Sequence, residues 1–159
     1  MDKIQTRQIL DDAKKEIEQG DCSLAYKILQ PLINDENPEA LYLFSMFGLS
    51  NGESIEEFEK RSVRLLTKAA GFEYPPAQYA LGVYYDGGDL VEQDKLKAAM
   101  LFKAAAINGH SKAQLSYGLD LFYGSNGVKK DHILGLKYIQ KAAEAGVEEA
   151  AEVLSELKE

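Results

Sequence analysis

Apolar and small residues recur along this chain in blocks of about a dozen positions, each closed by glycine or by a polar cluster. "AQYALGVYYDG" (77–87) and "AQLSYGLDLFYG" (113–124) are apolar-rich and break at glycine. "DKLKAAMLFKAAAIN" (94–108) and "DHILGLKYIQKAAEA" (131–145) follow them. In these second blocks apolar residues lie three and four apart: Leu101, Ala104 and Ala105 in one; Ile133, Leu136, Ile139 and Ala143 in the other. Such steps return to one face of a helix with 3.6 residues per turn, so each block predicts a helix. Strand-like alternation is nowhere sustained. Asp94 and Asp131 are placed to cap the exposed first-turn amides of the second helices, and Ser54 with Glu57 has the spacing of a capping box. Gly109 and Gly146 stand just past helix ends, where a left-handed residue closes the last turn.

The blocks repeat. Ala40, Ala77, Ala113 and Ala150 are 37, 36 and 37 residues apart. Five positions on comes a small residue each time: Ser45, Gly82, Gly118 and Ser155. Asn51, Gly88 and Gly124 share a later frame position, and Lys-Ala-Ala triplets begin at 68, 103 and 141. Self-similarity at 20 to 50 residues marks a repeat array. A glycine inside a helix costs about 1 kcal/mol against alanine, so Gly82 and Gly118 predict close helix packing. The first 36 residues read as a poorer helix pair: Ile9, Ala13 and Ile17 share one face, and "SLAYKILQPLI" supplies the second helix, with Pro31 loosening its last turn. Residues 147–159 predict a capping helix with Ala150, Val153, Leu154 and Leu157 inward. The expected organisation is one α-solenoid domain over residues 1–159: an opening pair (1–36), three repeat units (40–146) and the cap.

The combined motif resembles the Sel-one-like repeat (SLR) family, which is related to the tetratricopeptide repeat. The better copy is carried by Ala77, Leu81-Gly82, Tyr85, Gly88, Val91, Asp94, Lys97-Ala98, Lys103-Ala104-Ala105 and Gly109. The next is carried by Ala113, Gly118, Gly124, Gly127-Val128, Asp131, Lys141-Ala142-Ala143 and Gly146. The first copy departs: Ser45 replaces glycine, Gly48 stands where tyrosine would, and the loop at 51–57 is rewritten. The resemblance implies an all-α, right-handed superhelix of helical hairpins. It implies scaffold or adaptor proteins whose first helices line a concave, protein-binding face. Cysteine-rich members staple each repeat with paired cysteines, but this chain has a single cysteine, Cys22.

Charge narrows the partners. The net charge is −8, with an excess of −4 over residues 1–39 and −3 over residues 113–159. A nucleic-acid surface needs a basic face, so no nucleic-acid partner is expected. No run approaches the roughly 18 apolar residues of a membrane span. The charged N-terminal stretch predicts no secretory leader, and the lone cysteine favours a reducing, cytoplasmic setting.

Candidate chemistry is sparse. His110 and His132 are 22 residues apart with no second ligand at metal spacing, and both read as surface histidines. "DGGD" (86–89) does not fit the ligand spacing of a calcium loop. No catalytic residue, metal or cofactor is expected. The reading is a non-enzymatic module that binds a protein or peptide. Its acidity suits a basic partner, as for an immunity or inhibitor protein against a basic toxin or enzyme. A groove-borne hydrolase is the alternative, with Asp86 and Asp120 the carboxylates near the groove. A monomer or a weak homodimer is expected.

Counting from each frame alanine, positions 5, 6 and 9 predict the core: Leu81, Gly82 and Tyr85, then Tyr117, Gly118 and Leu121. Positions 3, 7 and 10 share the other side. The resemblance makes that side the concave face: Tyr42, Met46 and Leu49; Tyr79, Val83 and Asp86; Leu115, Leu119 and Phe122.

Overall fold

The computed structural model describes residues 2–49 and 52–157. Asn51 and the last two residues of the expected cap lie outside these. The described residues form helices and no strand: α1 (Lys3–Gln19), α2 (Cys22–Asn34), α3 (Pro38–Ser45), α4 (Ile55–Gly71), α5 (Pro75–Gly87), α6 (Lys95–Ile107), α7 (Ser111–Tyr123), α8 (His132–Glu144) and α9 (Glu148–Glu156). The fold class is all-α, of the helical-repeat solenoid kind. No described helix is long and apolar enough to cross a membrane. The chain divides into two compact units, Met1–Tyr74 and Pro75–Glu159.

In the second unit, α5 pairs with α6 and α7 with α8, and α9 closes the end. Burial follows the repeat. Ala77, Ala113 and Ala150 are wholly buried, as is Ala40 in the first unit. The two hairpins make matching bonds: the Asp94 amide donates to the Tyr85 carbonyl, and the Asp131 amide to the Leu121 carbonyl (2.9 and 2.8 Å). Asp94 and Asp131 cap α6 and α8 by accepting from the amides of Lys97 and Leu134, both at 2.9 Å.

The first unit pairs α1 with α2 and α3 with α4. Capping boxes start α1 (Asp2 with Gln5) and α4 (Ser54 with Glu57). Leu10, Ala13, Ala25, Leu29 and Leu32 are buried here, whereas Ile9 and Ile17 are only half-buried. Helix α2 runs through Pro31 to Asn34.

Each helical hairpin hands over through a left-handed residue. Gly109 and Gly146 hold φ of 86° and 87° in the second unit, as the sequence predicts. In the first unit Glu36 and Glu73 do the same at 57° and 58°, where a side chain is strained.

The expected inward faces of the second helices hold at Ile139 and Ala105 and differ at other positions. Ile133 is 85% exposed, and the buried column of α8 is Gly135, Ile139 and Ala142. In α6 Ala98, Ala99, Phe102, Ala105 and Ala106 are buried, with Leu101 and Ala104 half-buried, and Ala98, Phe102 and Ala105 form the column that matches α8. Helix α4 repeats the pattern with Ser62, Leu66 and Ala69. The column therefore reads small, large, small in all three helices, at spacings of 36 and 37 residues. In that register Ala104, not Lys103, matches Lys68 and Lys141. Lys103 thus stands one position earlier in its repeat, on a different face of its helix.

Candidate functional site

Helix α5 carries Tyr79, Val83 and Asp86. Val83 is 39% exposed. Tyr79 is half-buried, with its ring 5.7 Å from that of Phe102 and stacked at 4.5 Å on His110. Burial raises its hydroxyl pKa, and Glu149 at the start of α9 adds to the shift. Asp86 is engaged: its carboxylate pairs with Lys95 at 3.0 Å, and its carbonyl accepts from the Gln93 side chain.

Helix α7 carries Leu115, Leu119 and Phe122. All three are half-buried, and they pack on a cluster of Ile139, Ala142, Val147 and Ala150 together with Val153 and Leu154. The capping helix thus lies against the last repeat's share of the predicted face. The Phe122 ring also meets Tyr123 and His132 edge-on, at 5.0 and 4.7 Å. Within this unit, Val83 is the most open of the six predicted residues.

In the first unit α3 stops at Ser45, five residues shorter than α5 and α7. Tyr42 lies on the helix, half-buried, with its ring edge-on to Tyr74 at 5.6 Å. Met46 is the C-cap and is 58% exposed. Leu49 falls beyond the helix, just ahead of the rewritten loop, so the helical count does not carry it.

That loop has its own anchor. Arg61 of α4 clasps Glu53 by two bonds of 2.6 and 2.9 Å and donates to the carbonyls of Phe44 and Phe47. Its guanidinium lies 4.0 Å from the Phe44 ring centre. Glu53 also accepts from the Leu49 amide at 2.8 Å. The Arg61 hydrogen bond outweighs desolvation and holds the Glu53 carboxyl down at about 2. Sequence reading missed this pair; a glutamate and an arginine eight apart, flanking a loop without the family glycines, was the available signal.

The predicted core triads of the second unit largely hold. Leu81, Gly82, Tyr117, Gly118 and Leu121 are buried, and Tyr85 is half-buried against the same cluster. A Cβ on Gly82 would meet the Phe102 ring at 2.7 Å. A Cβ on Gly118 would meet Ile139 at 2.9 Å and the Gly135 carbonyl at 3.1 Å. Gly135, which the sequence reading did not single out, is tighter: its Cβ would lie 2.7 Å from the Phe122 nitrogen. Helices α7 and α8 therefore cross backbone against backbone. Ser155 in α9, by contrast, is exposed.

His110 is not the plain surface histidine expected. It is half-buried, and its Nδ1 accepts from the Ala113 amide at 3.2 Å, capping α7. Burial lowers its pKa, and Lys112 adds to the effect. Asp120 is buried and accepts from Ser125 and Asn126, both at 2.7 Å. Burial raises its pKa against those two bonds. Its carboxylate fastens the α7–α8 loop, a structural task. Among the described residues no three His, Cys, Asp or Glu side chains gather as a metal site would require.

Residues 75–110 and 111–147 each match the family model described as Sel1 repeat. Among solved structures, the chain is similar to the Sel1 repeat protein from Oxalobacter formigenes, at 30% identity and a TM-score of 0.71. That match covers 80% of this chain and 95% of the other. It is similar to a protective antigen present in uropathogenic Escherichia coli strains that displays an SLR fold. Identity is 25% and the TM-score 0.68, over 91% of this chain but only 35% of the antigen. It is also similar to cysteine rich protein B of Helicobacter pylori, at 26% identity and a TM-score of 0.58, over 79% and 93% of the two chains.

Proposed function

Because the chain belongs to the Sel1 repeat family, whose repeats generally mediate protein–protein interaction, we propose that it is a non-enzymatic module gripping a protein or peptide. The grip is through the faces of its first helices: Tyr42, Met46 and Leu49; Tyr79, Val83 and Asp86; Leu115, Leu119 and Phe122. The observation that carries this reading is the pair Met46 and Val83. Both are apolar, both are open to solvent, and neither supports a described core cluster. An apolar side chain left open on a first helix in each unit is what a partner's apolar surface would cover. Tyr79, rigid and half-open beside Val83, has the character of an interface hot spot. Leu115, Leu119 and Phe122 contribute only the edges that the cluster beneath them leaves free.

A net charge of −8 supports a basic partner, such as a toxin or enzyme that an immunity protein would neutralise. A reducing, cytoplasmic setting belongs to the same reading and rests on the single, free Cys22.

The test is co-purification from source cells with the wild-type chain and with Val83→Asp. The variant keeps the helical spectrum, since Val83 supports no core contact named above. The expected result is a protein retained by the wild type and lost with the variant. Equal retention by a folded Val83→Asp protein contradicts the assignment.

A further inference from the structure

A second binding feature lies in the second unit on α6 and the α7–α8 loop, apart from the first-helix residues just discussed. It is a pocket of about 450 Å³, within the size range of ligand sites, roughly 300–1,000 Å³. Its floor is apolar: Ala99, Tyr117 and Leu121 are buried there. Its α6 wall is formed by Leu96 and Met100, which remain 55% and 65% exposed. Its rim carries Lys103, Lys129 and Lys130. None of these three lysines forms an ion pair among the described residues. The only carboxylate among the described lining residues, Asp131, is occupied in capping α8.

The fold does not demand this arrangement. The corresponding α5–α6 loop reads Val91-Glu92-Gln93-Asp94 where this one reads Val128-Lys129-Lys130-Asp131. The valine and the capping aspartate are kept, and the two exposed positions between them change from acidic and neutral to doubly basic. Lys103 is likewise out of register with Lys68 and Lys141, and the one-residue slip brings it to this rim. Gly127 keeps the pocket open from the other side. It holds φ of 78°, and a Cβ there would lie 2.8 Å from the Leu96 side chain.

A basic rim around an apolar pocket runs against the sign of the whole chain. At physiological ionic strength charges beyond about 8 Å are largely screened, so the local sign governs what settles there. We propose that this pocket docks a peptide segment of a partner that carries one bulky apolar side chain flanked by carboxylates. The side chain fills the space between Leu96, Met100 and the floor. The carboxylates meet the three lysines, each of which offers donors that no described residue uses. This site is independent of the first-helix reading and has the opposite charge preference.

The probe is a fluorescein-labelled peptide with one phenylalanine between two pairs of glutamates, read by fluorescence anisotropy at physiological salt. Saturable binding at peptide-binding concentrations below about 1 mM is expected. K129E/K130Q, which restores the residues of the other loop, is expected to weaken it at least tenfold with an unchanged melting temperature. Met100→Gln, which leaves the loop alone, is expected to do the same. So is replacing the phenylalanine of the probe by serine. Val83→Asp is expected to leave binding unchanged. No saturable binding by the wild type overturns the proposal. So does equal affinity in K129E/K130Q, or loss of binding in Val83→Asp, which would place the peptide on the first-helix face. Lysine-dependent binding to phosphatidylserine vesicles with none to the peptide would identify an anionic membrane instead and would also overturn it.

Discussion

His110 occupies a position where a titration and a helix cap are the same event. Its Nδ1 can accept from the Ala113 amide only while the ring is neutral there. Burial lowers its pKa below the ordinary value, so the folded state favours the neutral ring. The stabilisation is therefore complete above the unfolded-state value, near 6.5, and is lost as pH falls through the lower folded-state value. Thermal melts between pH 7 and pH 5 should show an acid destabilisation that His110→Asn removes, because asparagine caps without titrating. An identical pH dependence in both proteins would refute the link. The glycines give a second residue-scale prediction. Alanine is the better helix former by about 1 kcal/mol, yet overpacking a core typically costs about 1–3 kcal/mol. At Gly135 the obstacle is the backbone of Phe122, which cannot rotate away. Gly135→Ala should lose stability, by up to about 2 kcal/mol net. Gly82→Ala meets an aromatic ring that can turn, and should lose less. Chemical denaturation of both variants orders them; the reverse order would show that the α7–α8 crossing can give way.

Helix α9 is the element whose removal is most informative. It supplies Ala150, which is wholly buried, and the half-buried Val153 and Leu154 to the cluster with Ile139. Deleting residues 148–159 leaves Leu115, Leu119, Phe122 and Ile139 facing water. Each apolar side chain so uncovered forfeits up to ~1.5–3 kcal/mol, and an uncapped repeat tends to self-associate. A fall in melting temperature of roughly 5 °C or more is expected, with a larger species in sedimentation. A monomeric truncated protein with the original melting temperature would contradict the capping role. Element by element, the second unit was the more legible half. Asp94, Asp131, Gly109 and Gly146 sit at helix ends where side-chain chemistry admits few alternatives, so sequence spacing located those ends closely. The buried face of α8 was less legible. Ile133 is more apolar than Gly135, and a hydrophobic count favours it; only the crossing backbone of α7 explains why the glycine is inside. The α3–α4 connection was the least legible. Its shape rests on Arg61 reaching Glu53, Phe44 and Phe47, contacts that no local periodicity encodes.

At the scale of the whole molecule, two charge signals point in opposite directions. The chain total of −8 favours a basic partner on the first-helix faces, while the lysine-rimmed pocket on α6 favours an acidic peptide. Binding through long-range attraction should weaken as salt rises, chiefly through a slower on-rate. Stopped-flow association with the captured partner at low and physiological salt checks this. A salt-independent on-rate would remove the support that acidity lends to an immunity role. The candidate face itself was legible only in part. Frame counting fixed which residues share a side of α5 and α7, but it could not show that α9 packs beside Leu115, Leu119 and Phe122, or that α3 ends before Leu49. Both depend on which helix follows, not on the residues counted. The most direct test of the central claim is hydrogen–deuterium exchange on the purified complex. The account predicts new protection concentrated in peptides of α3, α5 and α7, including Tyr42, Tyr79 and Val83. Protection confined to α4, α6 and α8, with the first helices exchanging as in the free protein, would contradict it.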